Sequence, residues 1–585
     1  MHPPDVPNDP ADQPSRSRPP MNNSTRYLCA GAYLDDRFRH RVLREILDDP
    51  YRAVAPSHGG FDLLPVVLHC LRAERLLQIR NAAISILLAG ICLLSPLVGG
   101  IMLILSLLAA PFTHSRIRRM PLVQRVMSAF CLCFLTFVPL TLVFSIMAID
   151  QSISTLFGRG PTGDDTGTQI IGEPRLSLLL LLCAFAAALG YRVSWYLTLR
   201  VTLRPGATAG NIEDAPRFAD RLAYADRAQR GNITLYGNEY PFIGAGDVHQ
   251  SWSIVVELDR LKSEKADPRR GTRPRADLDP VDLHAFVRTR LLEMRDAVEF
   301  PGERVERLHI SDQLAARGVF TRTEWPNASG PRSWKDQGHP LIDPGTGLPR
   351  FSADEETVNT VIRNPQGGIR HYQRVTVTAE APEIRNGDFQ LAPAEDQEVV
   401  VSAFIHLAVE GRMLYTQCVV TVLPPVRDDF QIDRLFFLSD SALVAAVFKH
   451  AGLKLVADVM FAPGRLARSI YQATRRDRVA TNPATFLLYP FGTRLSVREL
   501  GASHRTDRFM QLLDTVKYSR IIEQRLTEAV VDYLDSLGVD TGGYRRQAAS
   551  VINQSIKLDN GSSINGPVAM GDSAKATQNR KGESQ

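Results

Sequence analysis

Apolar and polar residues are distributed unevenly along this chain. Residues 81–113 contain no Asp, Glu, Lys or Arg, neither do 126–149, and a third apolar block runs from Leu176 to Leu199. Blocks of this length predict membrane-spanning helices. The first, Asn81–Phe112, would reach roughly 48 Å as one helix against a hydrocarbon core of ~30 Å. Pro96 and the pair Gly99–Gly100 interrupt it, so the pattern predicts a helical hairpin over 81–113, with a re-entrant loop as the alternative. The blocks 126–149 and 176–199 each predict a single span. Arg72, Arg75 and Arg80 precede the hairpin and Arg116, Arg118, Arg119 and Arg125 follow it, which puts both its ends on the cytoplasmic side. The loop 150–175 carries Asp150, Asp164, Asp165 and Glu173 and belongs outside. Tyr191, Trp195 and Tyr196, with Arg192, Arg200 and Arg204, form an interfacial belt at the inner end of the last span, where Arg192 snorkels toward the headgroups.

The flanking regions show the shorter periods of water-facing structure. Residues 26–80 predict a cytoplasmic helical segment, with helices over Arg37–Leu47 and Phe61–Leu77 and the His69–Cys70 pair inside an apolar stripe. Beyond Arg204, residues 205–545 read as a cytoplasmic α+β domain. Gly231–Gly246 is a strand followed by a glycine-rich turn, and Ser251–Leu258 is a buried strand. Asp279-Pro280 opens a helix over 281–298, while the five prolines between 320 and 352 mark a surface loop. Glu398–Leu423 predicts a long antiparallel hairpin turning at Glu410-Gly411-Arg412, with Arg370–Thr378 as a neighbouring strand. Ser441–Met460 reads as an amphipathic helix, interrupted by Lys449, His450, Lys454 and Asp458, and 507–537 as a further helix stopped by Gly538.

Composition narrows the function classes. The chain has 585 residues, 68 basic against 63 acidic, and a net charge of +5, too mild a balance for a nucleic-acid binder without a dense basic face. Nine of the basic residues are lysines and the rest arginines, an excess that reads as coding bias. Four of the seven cysteines sit in apolar stretches, where a thiol packs as a small hydrophobe, so neither a disulfide framework nor a metal site is expected. Gly244-Ala245-Gly246 lacks the third glycine and the Lys-Ser/Thr of phosphate loops, and no nucleophile elbow, zinc helix or paired-cysteine motif occurs. No catalytic residue and no cofactor is therefore assigned. Arg465, Arg468, Arg475 and Arg476, after the amphipathic helix, suit anionic lipid headgroups.

Both termini are polar. Residues 1–25 predict a disordered N-terminus, and 546–585 a flexible tail rich in Asn, Gly and Ser. Within the tail, Ile556 and Leu558, then Ile564, Val568 and Met570, recur with even spacing, punctuated by Asn560-Gly561 and Asn565-Gly566, a pattern of tiny strands and turns compatible with cross-β stacking. The segment Ser563–Asp572 (SINGPVAMGD) resembles the short amyloid-signalling, RHIM-like motifs of bacterial receptor and effector proteins, although Pro567 departs from a good stacking strand. That resemblance implies homotypic assembly through Ile564, Asn565, Gly566, Val568, Met570 and Gly571. Elsewhere, YPFIGAGDVHQSWSIVVEL and EVVVSAFIHLAVEGRMLYTQ resemble an uncharacterised family of actinobacterial multi-pass membrane proteins, which implies a membrane location and lends no activity.

The expectation is a multi-pass α-helical membrane region followed by a cytoplasmic α+β domain with an antiparallel sheet. It sits in the bacterial plasma membrane with both termini inside, its partners being the bilayer and a protein bound through the tail or the cytoplasmic domain. The expected role is a non-enzymatic anchored scaffold or signalling protein; a transport component or a membrane-tethered enzyme is the alternative.

Overall fold

A computed structural model describes residues 20–94, 174–208, 215–259, 277–297, 303–321, 341–378, 384–392, 399–436, 455–479 and 488–555, apart from short stretches within these ranges. The helices are α1 (Asn23–Leu34), α2 (Asp36–Leu47), α3 (Leu63–Leu94), α4 (Pro174–Thr202), α5 (Ala219–Ala228), α6 (Pro280–Asp296), α7 (Glu355–Arg363), α8 (Ala462–Val479), α9 (Phe509–Ser536) and α10 (Gly542–Ser555). The strands are β1 (Ile233–Tyr236), β2 (Asp247–Glu257), β3 (Leu308–Arg317), β4 (Val319–Thr321), β5 (Ile369–Thr378), β6 (Ile384–Asn386), β7 (Phe389–Ala392), β8 (Val400–Glu410), β9 (Met413–Leu423) and β10 (Leu488–Pro490).

Six strands form the main sheet in the order β1-β3-β5-β8-β9-β2. The β8–β9 hairpin falls where the sequence puts it, with Glu410 opposite Met413. Gly411 and Arg412 both take positive φ, 55° and 70°, the mirror-image turn whose twist matches that of the strands. One face of the sheet is covered by α6, α9 and α10. Ile254, Val375, Ala403, Ile405 and Cys418 pack there against Leu283, Val287, Leu526 and Val530. Alternation of apolar residues along each strand puts them all on that face. Trp252 donates its indole N–H to the buried Glu523 carboxylate at 2.9 Å, satisfying a polar group that the core would otherwise leave unpaired. On the other face, Phe242 and Ala245 pack onto Phe404 and Val419. The Gly244–Gly246 turn is a tight turn, as expected. Glu499 accepts from the N–H groups of Gly244 and Gly246 at 2.7 and 3.0 Å.

A second core joins the beginning of the chain to its later part. Tyr27, Leu28, Phe38, Val42, Leu64 and Val67 of α1–α3 pack with Leu199 and Leu203 of α4, Leu222 of α5, and Val426, Phe430 and Val497. Phe38 and Phe430 meet edge to face with centroids 5.2 Å apart. Gly31 lies so close that a Cβ there would stand 2.5 Å from the Phe430 ring.

Two features overturn the expected fold class. Among the described residues two helices, not a multi-pass region, are long and apolar enough to cross a membrane, Leu63–Leu93 and Arg175–Thr202. The sheet is mixed, since β1 runs parallel to β3 with Ile233 opposite Leu314, while the remaining pairs are antiparallel. The boundary at residue 81 also disappears. The expected helix 61–77 and the first arm of the hairpin are one continuous helix, α3. Arg72, Glu74, Arg75 and Arg80 break the apolar pattern without breaking the backbone, since arginine and glutamate are good helix formers. The block 176–199 is helical as expected, within α4. The second hairpin arm after Leu94 and the span 126–149 lie outside the described residues.

Candidate functional site

Helices α3 and α4 pack together along their length. The N-terminal half of α3 and the C-terminal end of α4 lie in the core with Phe38 and Phe430, so the pair leaves the body side by side. Beyond that point the contact is built from small and branched residues. Ile84, Ala184 and Ala188 are buried between the helices and Val459, and Gly90 lies against Leu180. The outward faces are apolar: Ile86 and Leu93 on α3 are 71% and 84% exposed, and Leu178, Leu179 and Leu182 on α4 more than half exposed.

A charged centre closes the inner end of this pair. Asp458 is buried, and three guanidinium groups converge on it. Arg192 reaches Oδ2 at 2.6 Å, Arg80 the same oxygen at 3.4 Å, and Arg465 reaches Oδ1 at 2.7 Å. Arg80 also donates to the Asn81 side chain at 2.8 Å and lies over the Tyr191 ring, 4.7 Å from its centroid. Tyr191 stacks with Trp195, which adjoins Tyr196. Burial alone would push the Asp458 carboxyl up, but Arg80, Arg465 and Arg192 together hold it below the usual carboxylate range. One carboxylate against three arginines leaves the centre net positive. It sits where the exposed apolar surface of the two helices begins.

Another ionic group, partly buried, lies beneath the sheet. Asp312 on β3 bonds His371 Nε2 of β5 at 2.9 Å and pairs with Arg288 of α6. The His371 ring meets that of His284 edge to face at 4.6 Å. Burial raises the Asp312 carboxyl, yet His371 and Arg288 bring it down to about 2. Burial also drives His284 well below the ordinary histidine value, so it stays neutral. Both His284 and His371 are almost fully buried. This cluster ties α6 to the sheet, with the two histidines inside and the Asp312 and Arg288 side chains still partly exposed at its edge. Among the described residues no group of three or more His, Cys, Asp or Glu is disposed to hold a metal ion.

The residues singled out in the sequence fall as follows. Arg465 pairs with Asp458 while its side chain stays 40% exposed, α8 starting close to the place where α3 and α4 emerge. Arg468 is exposed on α8 beside Ile470 and Tyr471, which are 56% and 65% exposed. Arg475 and Arg476 lie further along the same helix. Ile564, Asn565, Gly566, Val568, Met570 and Gly571 lie outside the described residues. His69 is a core residue, its Nδ1 hydrogen-bonded to the Tyr33 hydroxyl at 3.0 Å. Asp458 is the site residue that sequence reading passes over. It registers there as an interruption of an amphipathic helix, and the visible signal, a lone Arg192 in an apolar block, lies 266 positions away.

No curated protein and no solved structure matches the chain. A family model described as an AbeC-like domain matches residues 251–568, from within β2 past α10 and into the tail as far as Val568. That stretch is more than half of the chain and carries most of the main sheet and its covering helices, so the protein belongs to the AbeC-like domain family.

Proposed function

We propose that this protein is a membrane-anchored, non-enzymatic scaffold or signalling protein of the bacterial plasma membrane, held by the α3–α4 pair, with its α+β body on the cytoplasmic side. The observation that carries the reading is the outward display of apolar side chains on both helices. Only 22% of the most apolar stretch of α3 and 17% of that of α4 is buried within the protein. A core helix of a globular domain buries its apolar face; these two direct it to the surroundings. The arginine-rich centre at Asp458 and the Tyr191–Trp195–Tyr196 cluster lie near the inner end of the pair, where a bilayer surface would meet them.

The likeness of Ser563–Asp572 to RHIM-like motifs supports a finer reading in which the tail recruits identical or related tails, the anchor serving to concentrate copies in two dimensions. The likeness of two further segments to actinobacterial membrane proteins supports a source in that group.

The anchoring is tested by alkaline carbonate extraction of membranes from cells producing the full chain. The protein is expected to stay in the membrane pellet. A variant with Ile86→Lys and Leu182→Lys together is expected to shift to the supernatant, each charge at mid-depth costing about 2.5–3.5 kcal/mol. Release of the native chain by carbonate, with its body folded, would overturn the reading.

A further inference from the structure

On the face of the sheet opposite α6 and α9, the hairpin end of β8–β9 is left uncovered and hollow. The cavity is about 440 Å³, within the range of small-molecule sites. Its floor is Ala408. Along β8 its same-face neighbours are His406 and Glu410, and across the hairpin Tyr415 lies opposite it. A methyl group set among long side chains makes the hollow.

The walls are chemically specific. The Tyr372 and Tyr415 rings stand 5.6 and 6.2 Å from that of His406, giving three aromatic edges around one small floor. The His406 Nδ1 lies 2.8 Å from the His371 carbonyl oxygen. A carbonyl can only accept, so Nδ1 carries the proton, and the neutral ring leaves a lone pair on Nε2. That side chain is 94% buried by the 6% exposure it retains, and among the described residues Nε2 has no partner. Arg370 and Glu410 stand at the rim as opposite charges. Arg370 forms no ion pair among the described residues, and Glu410 accepts only a 3.3 Å hydrogen bond from Gln366.

We propose that this cavity binds a free aromatic α-amino acid whose ring bears a hydrogen-bond donor, tryptophan or tyrosine. The ring enters edge-on over Ala408 between the aromatic walls and gives its N–H or O–H to His406 Nε2. The carboxylate then meets Arg370 and the ammonium meets Glu410. The unpaired opposite charges at the rim favour a zwitterion over a nucleotide, whose phosphate would face Glu410 with nothing to compensate it.

The test is isothermal titration calorimetry on the full chain in detergent, with L-tryptophan, L-tyrosine, L-phenylalanine, N-acetyl-L-tryptophan and guanosine monophosphate as probes. L-tryptophan or L-tyrosine is expected to bind one per chain. L-phenylalanine should bind about tenfold more weakly, because it leaves Nε2 unsatisfied. N-acetyl-L-tryptophan should be weaker by several-fold through loss of the ammonium. Ala408→Phe fills the floor and should abolish binding with the melting temperature unchanged. If that variant does not fold, the exposed-site changes Arg370→Gln and Glu410→Gln carry the same test, each expected to weaken the zwitterion several-fold. The proposal is overturned if neither amino acid binds at ~10 mM, if phenylalanine binds equally well, if folded cavity variants bind as tightly as the native chain, or if guanosine monophosphate binds more tightly than both.

Discussion

Replacing Asp458 with Asn keeps the shape of the side chain and removes its charge, so it isolates what the carboxylate does at the foot of the helix pair. Its side chain is 8% exposed, and those of Arg80 and Arg192 are 4% and 14% exposed. Each arginine gains about 4 kcal/mol of gross attraction at ~4 Å with an effective dielectric of ~20, most of which offsets desolvation. With the carboxylate gone, two buried guanidinium groups face each other without compensation, and breaking a buried pair in this way costs about 3–5 kcal/mol. Arg465 differs, because its side chain is 40% exposed; water takes over when its partner is lost, so Arg465→Gln should cost about 1 kcal/mol or less. Limited proteolysis of the detergent-solubilised full chain reads the open population directly. Asp458→Asn is expected to raise cleavage near the α3–α4 exit by between about a hundredfold and a few thousandfold, and Arg465→Gln by less than about tenfold. The pH dependence has a definite sign. A carboxyl held down in the folded state contributes stability that is fully present above its unfolded value of about 4 and is lost as pH falls through the lower folded value. Equal cleavage in the two variants, or an Asp458→Asn chain as resistant as the native one, would refute the account.

Three other outcomes are expected. Gly246 has φ of +85°, and a Cβ there would stand 2.1 Å from the Val422 carbonyl oxygen; Gly246→Ala should therefore lower the melting temperature by several degrees, whereas Gly411→Ala, at an open turn with nothing within 4 Å, should cost only about 1 kcal/mol through its positive φ. Asp312→Asn should reduce the acid-side loss of stability as pH falls from about 4 toward 2 while leaving the share due to Asp458, since His371 and Arg288 hold the Asp312 carboxyl down to about 2; unfolding curves at stepped pH check this. The tail reading predicts that the full chain forms dye-binding assemblies with a cross-β signature and that Val568→Asp prevents them, a charge in a stacked strand being repeated at every layer; assemblies unaffected by that change would count against the motif.

The legible parts of the fold were those where one local rule acts alone. The β8–β9 hairpin follows from alternation on either side of Gly411-Arg412, α6 from the Asp279 cap before Pro280, and the end of α9 from Gly538 with its φ of +69°. What stayed hidden depends on distant partners. β1 has four residues, and its parallel pairing with β3 spans about eighty positions, so no pattern within either strand announces it. The continuity of α3 across residue 81 was masked because hydropathy marks a change of surroundings, not a change of backbone. The junction failed for a related reason: Arg192 and Asp458 each look misplaced in their own segment, and only the fold shows that each explains the other. The cavity over Ala408 was likewise invisible, since a lone His406 in a strand carries no sign of what flanks it across the sheet.

The core that holds α1 and α2 has a consequence for how the protein is made. Phe38 packs on Phe430, and the two are separated by about 390 residues. A ribosome adding about 5–20 residues per second needs roughly 20–80 s to supply the second after the first. Once Thr202 has been added, α3 and α4 are complete, yet the face of the N-terminal helices that meets Phe430 stays without its internal cover until that residue emerges. Partition of α3 and α4 into a bilayer would tether the unfinished body during this wait. Nascent chains stalled between Thr202 and Phe430 should therefore be the species most dependent on chaperones, and release from that dependence should come only after Phe430 emerges.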